Sequence, residues 1–147
     1  MDRLLALTDV FYAKVKQDAM LGPVFSGMSA DHPRHVAQFI AEVFGGPKVY
    51  SAEHGPQAHS HMIGQHISRR LTEVQRRRWI ELLLDSADEI KMPDDPEFRS
   101  AFVAYLEWGT RLAVVNSQLE STPAGLGPMP RWGWGEVGGP YRPPSKT

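Results

Sequence analysis

The residues of this chain with the clearest potential for chemistry are its histidines. All six lie between His32 and His66, within about a quarter of the 147 residues. A histidine can be a solvated side chain, a zinc ligand or the axial ligand of a larger cofactor. Three of the six lie in one segment, HSHMIGQHISRRLTEVQRRRW, which begins at His59 and ends at Trp79. The remaining sequence has to decide among these three roles.

A zinc site is the less favoured interpretation of these histidines. His59 and His61 are two residues apart, so on a helix they point to different sides. The sequence has no H-E-x-x-H pattern, and no two histidines are four residues apart. It also has no cysteine, which excludes thiolate zinc sites and iron–sulfur clusters. His54 and His59 lie in polar surroundings and are assigned no role.

His66 differs from the other histidines in its apolar surroundings. Ile67 and Leu71 follow it, and Thr72 then begins a helix whose apolar stripe includes Trp79. A neutral imidazole at the edge of packed helices can bind haem iron. The apolar stripes alone would look the same in any four-helix core, so haem is one candidate among several at this level.

The elements that position these residues all read as helices. Asp31 and Asp95 are good N-caps that are followed by proline, and Thr72 and Gln75 form a capping box. Apolar residues recur at helical spacing, and no convincing alternation of period two is present. We therefore expect an all-α fold with long helices at about 4–20, 31–44, 72–91 and 95–115. A loop after Tyr50 should lead into one short helix near 59–66.

The composition changes at residue 121. Residues 121–147 contain six of the twelve prolines and six of the thirteen glycines, with few aliphatic residues. Such a segment cannot bury a core of its own. We expect one domain at 1–120 and a C-terminal extension at 121–147 that is disordered or draped on the domain. The RWGW motif, with Trp132 and Trp134, is the part of this extension with enough apolar area to dock.

Composition and charge narrow the partners and the compartment. The chain is 41% hydrophobic and 22% charged, with a net charge of -1, so nothing favours nucleic acid or an anionic membrane as a partner. The N-terminal apolar run carries charges and lacks a small-residue cleavage site, which argues against a signal peptide or membrane anchor. A cytoplasmic protein is the expectation.

Four segments, in order and at matching separations, resemble one family. They are DVFYAKVKQDAMLGPVF, FIAEVFGGPKVY, QHISRRLTEVQRRRW and AYLEWGTRLAVVNS. They are similar to the Phe-Tyr helix and its following turn, the distal helix, the segment from the proximal histidine to a tryptophan, and the last helix of the truncated haemoglobins of the second group. These are short globins of bacteria and plants with a two-over-two helical sandwich around haem. The resemblance covers roughly residues 2–117.

The resemblance implies a role for individual residues. His66 would be the iron ligand of haem b, with Tyr12 and Trp79 donating hydrogen bonds to bound ligand. His32 would be at the distal gate, although His35 competes for that place and His32 could also be an exposed residue at a helix start. The residues implied to contact the haem are Phe25, Val36, Phe39, Tyr50, Met62, His66, Leu71 and Trp79. Arg69 or Arg70 would pair with a propionate, whereas Gln65 stands where the family often has arginine.

The function implied is reversible binding of oxygen, carbon monoxide, nitric oxide or peroxide at a histidine-ligated iron. A redox role on nitric oxide or peroxide would need an external reductase, because the chain has no flavin or nicotinamide domain. Whether the chain turns over a substrate, and whether it forms a homodimer, stays open. The alternative is a haem-free helical module that binds a partner through its tryptophan-containing tail.

Overall fold

A computed structural model describes residues 2–123 and 129–133. Over these residues the chain is helical and has no β-strand, as predicted. The helices are α1 (Asp2–Gln17), α2 (His32–Val43), α3 (Val49–His54), α4 (Ala58–Gly64), α5 (Glu73–Glu89) and α6 (Pro96–Ser117), and a 3-10 turn (Gly55–Gln57) joins α3 to α4. None of the helices described is long and apolar enough to cross a membrane.

The core is built on α1, which packs against α2 and against α5. Leu7, Phe11 and Val15 follow one another at helical spacing on α1, and all three are fully buried. The Phe11 ring meets the Trp79 ring of α5 edge to face, with 5.0 Å between the ring centres. Burying each such side chain contributes about 1.5–3 kcal/mol, so this stripe fixes how α1 lies on its two neighbours.

Helices α5 and α6 begin at the N-caps that the sequence predicts. The Thr72 hydroxyl accepts from the Gln75 amide (3.2 Å), and the Gln75 side chain accepts from the Thr72 amide (2.9 Å). The Asp95 carboxylate accepts from the Phe98 amide (3.0 Å). These contacts satisfy amides that have no partner within their helix. The helices thus form two pairs, α1 with α2 and α5 with α6, and one pair lies over the other.

A buried ion pair joins α5 to α6. The Arg76 guanidinium is 3% exposed and binds the carboxylates of Glu73 (2.5 Å) and Glu107 (2.7 Å). Both carboxylates are partly exposed, so Arg76 is the only buried member of this group. The group fixes the register of α6 against the first turns of α5.

The short helix predicted near 59–66 corresponds to α4, whereas the prediction of a loop before it was wrong. Two short helices and the 3-10 turn fill residues 49–64. The Tyr50 side chain is 1% exposed and packs edge to face on Phe39 of α2, with 5.1 Å between ring centres. This tertiary contact stabilises a polar, glycine- and proline-containing stretch whose own propensity for helix is low.

The segment between α4 and α5 is held against the end of α6. The Ser68 amide donates to the Leu119 carbonyl (2.9 Å), and the Arg70 amide donates to the Ser117 carbonyl (3.0 Å). Ser68 and Arg70 both have positive φ, 64° and 53°, a region that costs free energy for residues other than glycine. The bonds to α6 hold the segment in this unfavourable conformation.

Part of the C-terminal extension lies on the helical domain. The Trp132 amide donates to the Val43 carbonyl (2.9 Å), and its ring packs on the rings of Tyr105 (5.7 Å between centres) and Trp108 (5.6 Å). Trp134, the other tryptophan of the predicted docking motif, lies outside the described residues. At Trp132 the extension contacts both α6 and the end of α2.

Candidate functional site

A cavity of about 410 Å³ lies between the helices. Its walls come from all six α-helices and the turns between them, and aromatic and aliphatic side chains predominate. Every site residue that the sequence predicts lines this one cavity: Tyr12, Phe25, His32, Val36, Phe39, Tyr50, Met62, His66, Leu71 and Trp79. A largely apolar cavity of a few hundred cubic ångströms with a few polar groups is typical of a cofactor site.

His66 lies in the turn that follows α4, and its ring is largely enclosed by the cavity wall. Burial lowers the pKa of its imidazole, and the positive charge of Arg69 lowers it further. A backbone hydrogen bond with Met62 acts in the opposite direction. A bond that raises the pKa of an imidazole is one in which the ring donates, so the carbonyl of Met62 orients this ring. The ring is therefore neutral at neutral pH and can bind a metal through its other nitrogen.

Tyr12, His32 and Trp79 form a polar group in the apolar cavity. The Tyr12 hydroxyl and His32 Nε2 are 3.0 Å apart. Burial raises the pKa of the Tyr12 hydroxyl well above its usual value, and a hydrogen bond with the Trp79 side chain only partly opposes this. Burial, together with the charges of His66, His35 and Arg69, lowers the pKa of His32 to about 4. At neutral pH the phenol keeps its proton and the imidazole is uncharged.

His32 thus faces the cavity, whereas the sequence left it open between the cavity and an exposed helix start. Its ring also packs edge to face against Tyr12 (5.0 Å between ring centres) and Phe25 (5.9 Å). His35, the competing residue, lines the cavity as well, but its polar contacts are with Arg34 and Glu53. The two histidines are three residues apart on α2 and have different partners.

The apolar wall residues form two groups. Phe25 lies in the turn between α1 and α2, close to Tyr12 (5.7 Å between ring centres). The Phe39–Tyr50 pair forms a second aromatic group where α2 meets α3. Burial raises the pKa of the Tyr50 hydroxyl, and the negative charge of Glu53 adds to this, so the phenol is uncharged. These residues leave the cavity with aromatic walls and with donors at few points.

The two candidate arginines differ in their relation to the cavity. Arg69 lines it, and its guanidinium donates to the backbone carbonyl of Gln65, whereas Arg70 is not among the lining residues. Sequence reasoning missed the wall that α6 contributes, which includes Trp108 and Leu112, and also the approach of His59 and His61 to the cavity. The apolar stripe of α6 could have indicated its share, but no local pattern shows which face of α6 meets the cavity.

The residues present fit a haem. The cavity offers a largely apolar space bordered by aromatic rings, one neutral imidazole held by a backbone carbonyl, and two protonated donors, the Tyr12 hydroxyl and the Trp79 indole. Such a donor set supplies an axial ligand and hydrogen bonds to a small polar ligand.

Comparison with known proteins agrees with this interpretation. Residues 1–109 match the family described as bacterial-like globins. The group 2 truncated haemoglobin YjbI of Bacillus subtilis is 27% identical over 117 residues, which is 80% of this chain and 85% of that protein. The solved structure of a truncated oxygen-avid haemoglobin from Bacillus subtilis is 28% identical, covers 76% of this chain and 90% of its own, and has a TM-score of 0.65.

Two further structures share the fold. The group II truncated haemoglobin of Bacillus anthracis has a TM-score of 0.68 at 22% identity, and the comparison covers 84% of this chain and 88% of that one. The haemoglobin of Chloroflexus aurantiacus has a TM-score of 0.65 at 25% identity, over 76% of this chain and 88% of that one. Because the identity with the Bacillus anthracis protein is below 25%, that comparison supports the fold alone.

The chain belongs to the bacterial-like globin family, as a truncated haemoglobin of the second group. Its fold is the two-over-two sandwich that the four ordered segments predict. Membership of this family means that the chain binds haem and small gaseous ligands such as oxygen. The family assignment favours a haem protein over the haem-free binding module.

Proposed function

We propose that this globin binds haem b through His66 and holds small ligands by hydrogen bonds from Tyr12 and Trp79. The observation that supports this most directly is the gathering of all ten predicted residues around one cavity. Haem iron supplies an open coordination position at which oxygen, carbon monoxide and nitric oxide bind reversibly. The protein supplies the imidazole, the dry apolar space and the donors.

Tyr12 and His32 act together in this proposal. Because the Tyr12 phenol stays protonated, it can donate one hydrogen bond. In the tautomer that carries its proton on Nε2, His32 donates to the Tyr12 oxygen and leaves the phenolic proton free to bond to the ligand. With the other tautomer, Tyr12 donates to His32 instead. The tautomer of His32 therefore selects whether Tyr12 points its proton at the ligand.

A pocket with two donors slows the release of a polar ligand, and the relative from Bacillus subtilis is described as oxygen-avid. Slow release suits redox chemistry on nitric oxide or peroxide better than delivery of oxygen. We propose that turnover would draw electrons from an external reductase. We propose a cytoplasmic setting for this chemistry.

Replacement of His66 tests the core of the proposal. The His66→Ala protein should fold but fail to retain haem, because it lacks the imidazole that we propose binds the iron. The measurement is the Soret band after reconstitution with haemin and gel filtration. His59→Ala is the matched control, since it removes another histidine of the same cavity wall, and it should keep the wild-type spectrum. Normal haem retention by His66→Ala would refute the assignment.

A further inference from the structure

Three side chains with metal-binding atoms converge where α2 meets α3. They are His35 of α2 and Glu53 and His54 of α3, and one donor atom from each lies within 4.8 Å of the other two. His35 Nε2 is 3.6 Å from Glu53 Oε1. Residues 18 and 19 positions apart in the sequence thus meet through the packing of two helices.

One of the two imidazoles has an unsatisfied nitrogen. His54 Nε2 is shielded from solvent and has no hydrogen-bond partner among the described residues. Its ring packs against the rings of Tyr50 (4.3 Å between centres) and His61 (4.1 Å, nearly parallel). A buried polar atom without a partner costs free energy, and a bound ion or water is the usual way in which such an atom is satisfied.

The donor set indicates which ions would bind. Two imidazoles and one carboxylate form a three-ligand set that suits zinc and related divalent transition metals and leaves a fourth position for water. We propose that His35, Glu53 and His54 form a binding site for a divalent transition-metal ion at the rim of the haem cavity. This site is separate from the proposed iron ligand His66 and does not depend on it.

Arg34 is the group that opposes metal binding here. Its guanidinium lies 3.5 Å from His35 Nε2 and 3.9 Å from Glu53 Oε2, and it also pairs with Asp31 (3.5 Å). The side chain is 44% exposed, so it can swing into solvent when a cation arrives. A positive charge this close weakens the binding of any cation. Removing it should therefore strengthen the site.

Metal binding would act on the cavity through α2 and α3. His35 and Tyr50 both line the cavity, and Tyr50 packs on His54. An ion held by His35 and His54 would join the two helices at this point and stabilise the folded state by mass action. We expect the melting temperature of the protein to rise with zinc concentration.

The test is calorimetric titration with zinc chloride of the haem-loaded protein. The protein is saturated with carbon monoxide, so that the ligand-binding position of the iron is occupied. We expect one zinc ion per chain. Glu53→Gln, a change of an exposed side chain, and His54→Gln should each weaken binding by about tenfold or more. Arg34→Gln should tighten it several-fold, a gain that a merely structural role for the cluster does not predict.

Two controls make the outcome decisive. His59→Gln and Glu81→Gln remove a histidine and a carboxylate elsewhere and should bind zinc as the wild type does. Circular dichroism of each variant confirms that the fold is intact. Equal zinc affinity in the wild type and Glu53→Gln would overturn the proposal. So would a site that the apoprotein has but the haem-loaded protein lacks, because the carboxylates of haem would then be the partners of the cluster.

Discussion

The Tyr12 hydroxyl is in contact with both His32 and Trp79, the other members of its polar group. His32 Nε2 is 3.0 Å away, and a hydrogen bond with Trp79 affects its pKa. Because the indole N–H can only donate, Trp79 either donates to the Tyr12 oxygen or turns its N–H to a ligand. The two donors therefore form one linked group, and a change in one should alter the other.

Replacing Trp79 with Phe should speed the release of oxygen. The change keeps an aromatic ring against Phe11 but removes one donor, and a lost hydrogen bond of about 1–1.5 kcal/mol corresponds to roughly tenfold. The measurement is the oxygen off-rate by stopped-flow displacement with carbon monoxide. Trp132→Phe changes a tryptophan that is not among the residues lining the cavity; it is the matched control and should leave the rate unchanged. An unaltered rate in Trp79→Phe would remove that residue from the hydrogen-bonding group.

His32 should make the stability of the apoprotein depend on pH. Its pKa is about 4 when folded against an ordinary 6.5, so the unfolded chain binds more protons between these values. The stability that follows from the neutral ring is fully present above pH 6.5 and is lost as the pH falls towards 4. Since the ring is only partly buried, we expect about 1–2 kcal/mol rather than the full shift.

Urea unfolding of the apoprotein at pH 7 and pH 4.5 measures this loss. His32→Gln keeps a polar partner for Tyr12 without the titrating ring, and its loss of stability between the two pH values should be smaller. His59 gives the comparison, because His59→Gln should lose as much stability as the wild type. A His32→Gln protein with an unchanged pH dependence would contradict the neutral state of His32.

The sequence predicts the cavity residues well because they lie in ordered segments that resemble one family. It does not predict the cluster of His35, Glu53 and His54. Local spacing shows ligands that share one helix, whereas these ligands come from two helices and meet only through tertiary packing. A search for histidines four residues apart could not have found them.

At the scale of elements, the segment that follows His66 is held by the end of α6. The Ser117 hydroxyl is buried, accepts from the Leu71 amide (2.9 Å) and donates to the Val114 carbonyl (2.7 Å). The Gln118 side chain donates to the Leu71 carbonyl (2.9 Å). The start of α5 and the turn before it therefore follow any movement of the end of α6.

Replacing Ser117 with Ala should destabilise the fold by about 1–3 kcal/mol, because it leaves the Leu71 amide without its partner. Haem should also dissociate faster from this variant, since the turn that holds His66 loses one of its fixed points. Urea unfolding and transfer of haem to an apomyoglobin scavenger measure the two effects. The exposed Ser121, changed to Ala, should behave as the wild type. Wild-type stability in the Ser117 variant would show that Leu71 finds another partner.

A helix could be predicted from the sequence where local signals such as caps and apolar periodicity determine it. The N-cap residues Thr72 and Asp95 mark the starts of α5 and α6, and apolar residues recur at helical spacing along both helices. α3 carries no such signal. It forms because the Tyr50 side chain packs against Phe39. A single sequence does not show that such a tertiary contact will outweigh a weak local propensity for helix.

At the scale of the whole molecule, the C-terminal extension adds a patch of packing to the globin domain. Trp132 covers Tyr105 and Trp108, and Pro130 lines the cavity. The sequence showed that this motif had apolar area to bury but offered no signal for where. Its site on α6 and the end of α2 depends on a surface that forms only when the helices assemble.

Replacing Trp132 with Ala should lower the free energy of unfolding by about 1–2 kcal/mol, less than for a full core tryptophan because the ring is only half-buried. Urea denaturation of the haem-loaded protein measures it. Arg131→Ala changes the exposed neighbour and should stay within about 0.5 kcal/mol of the wild type. A Trp132 variant as stable as the wild type would mean that the contact forms without net gain.

The bonds between Ser68 and the residues after α6 also bear on how the protein is made. Fifty-one residues separate Ser68 from Leu119, so the turn beside His66 cannot take its final shape until the last helix has left the ribosome. At about 5–20 residues per second, that delay is roughly 3–10 s. During this interval the nascent chain displays His66, the proposed iron ligand, without the hydrogen bonds between the following turn and the end of α6. Stable haem capture is therefore expected only after α6 and Leu119 have been synthesised.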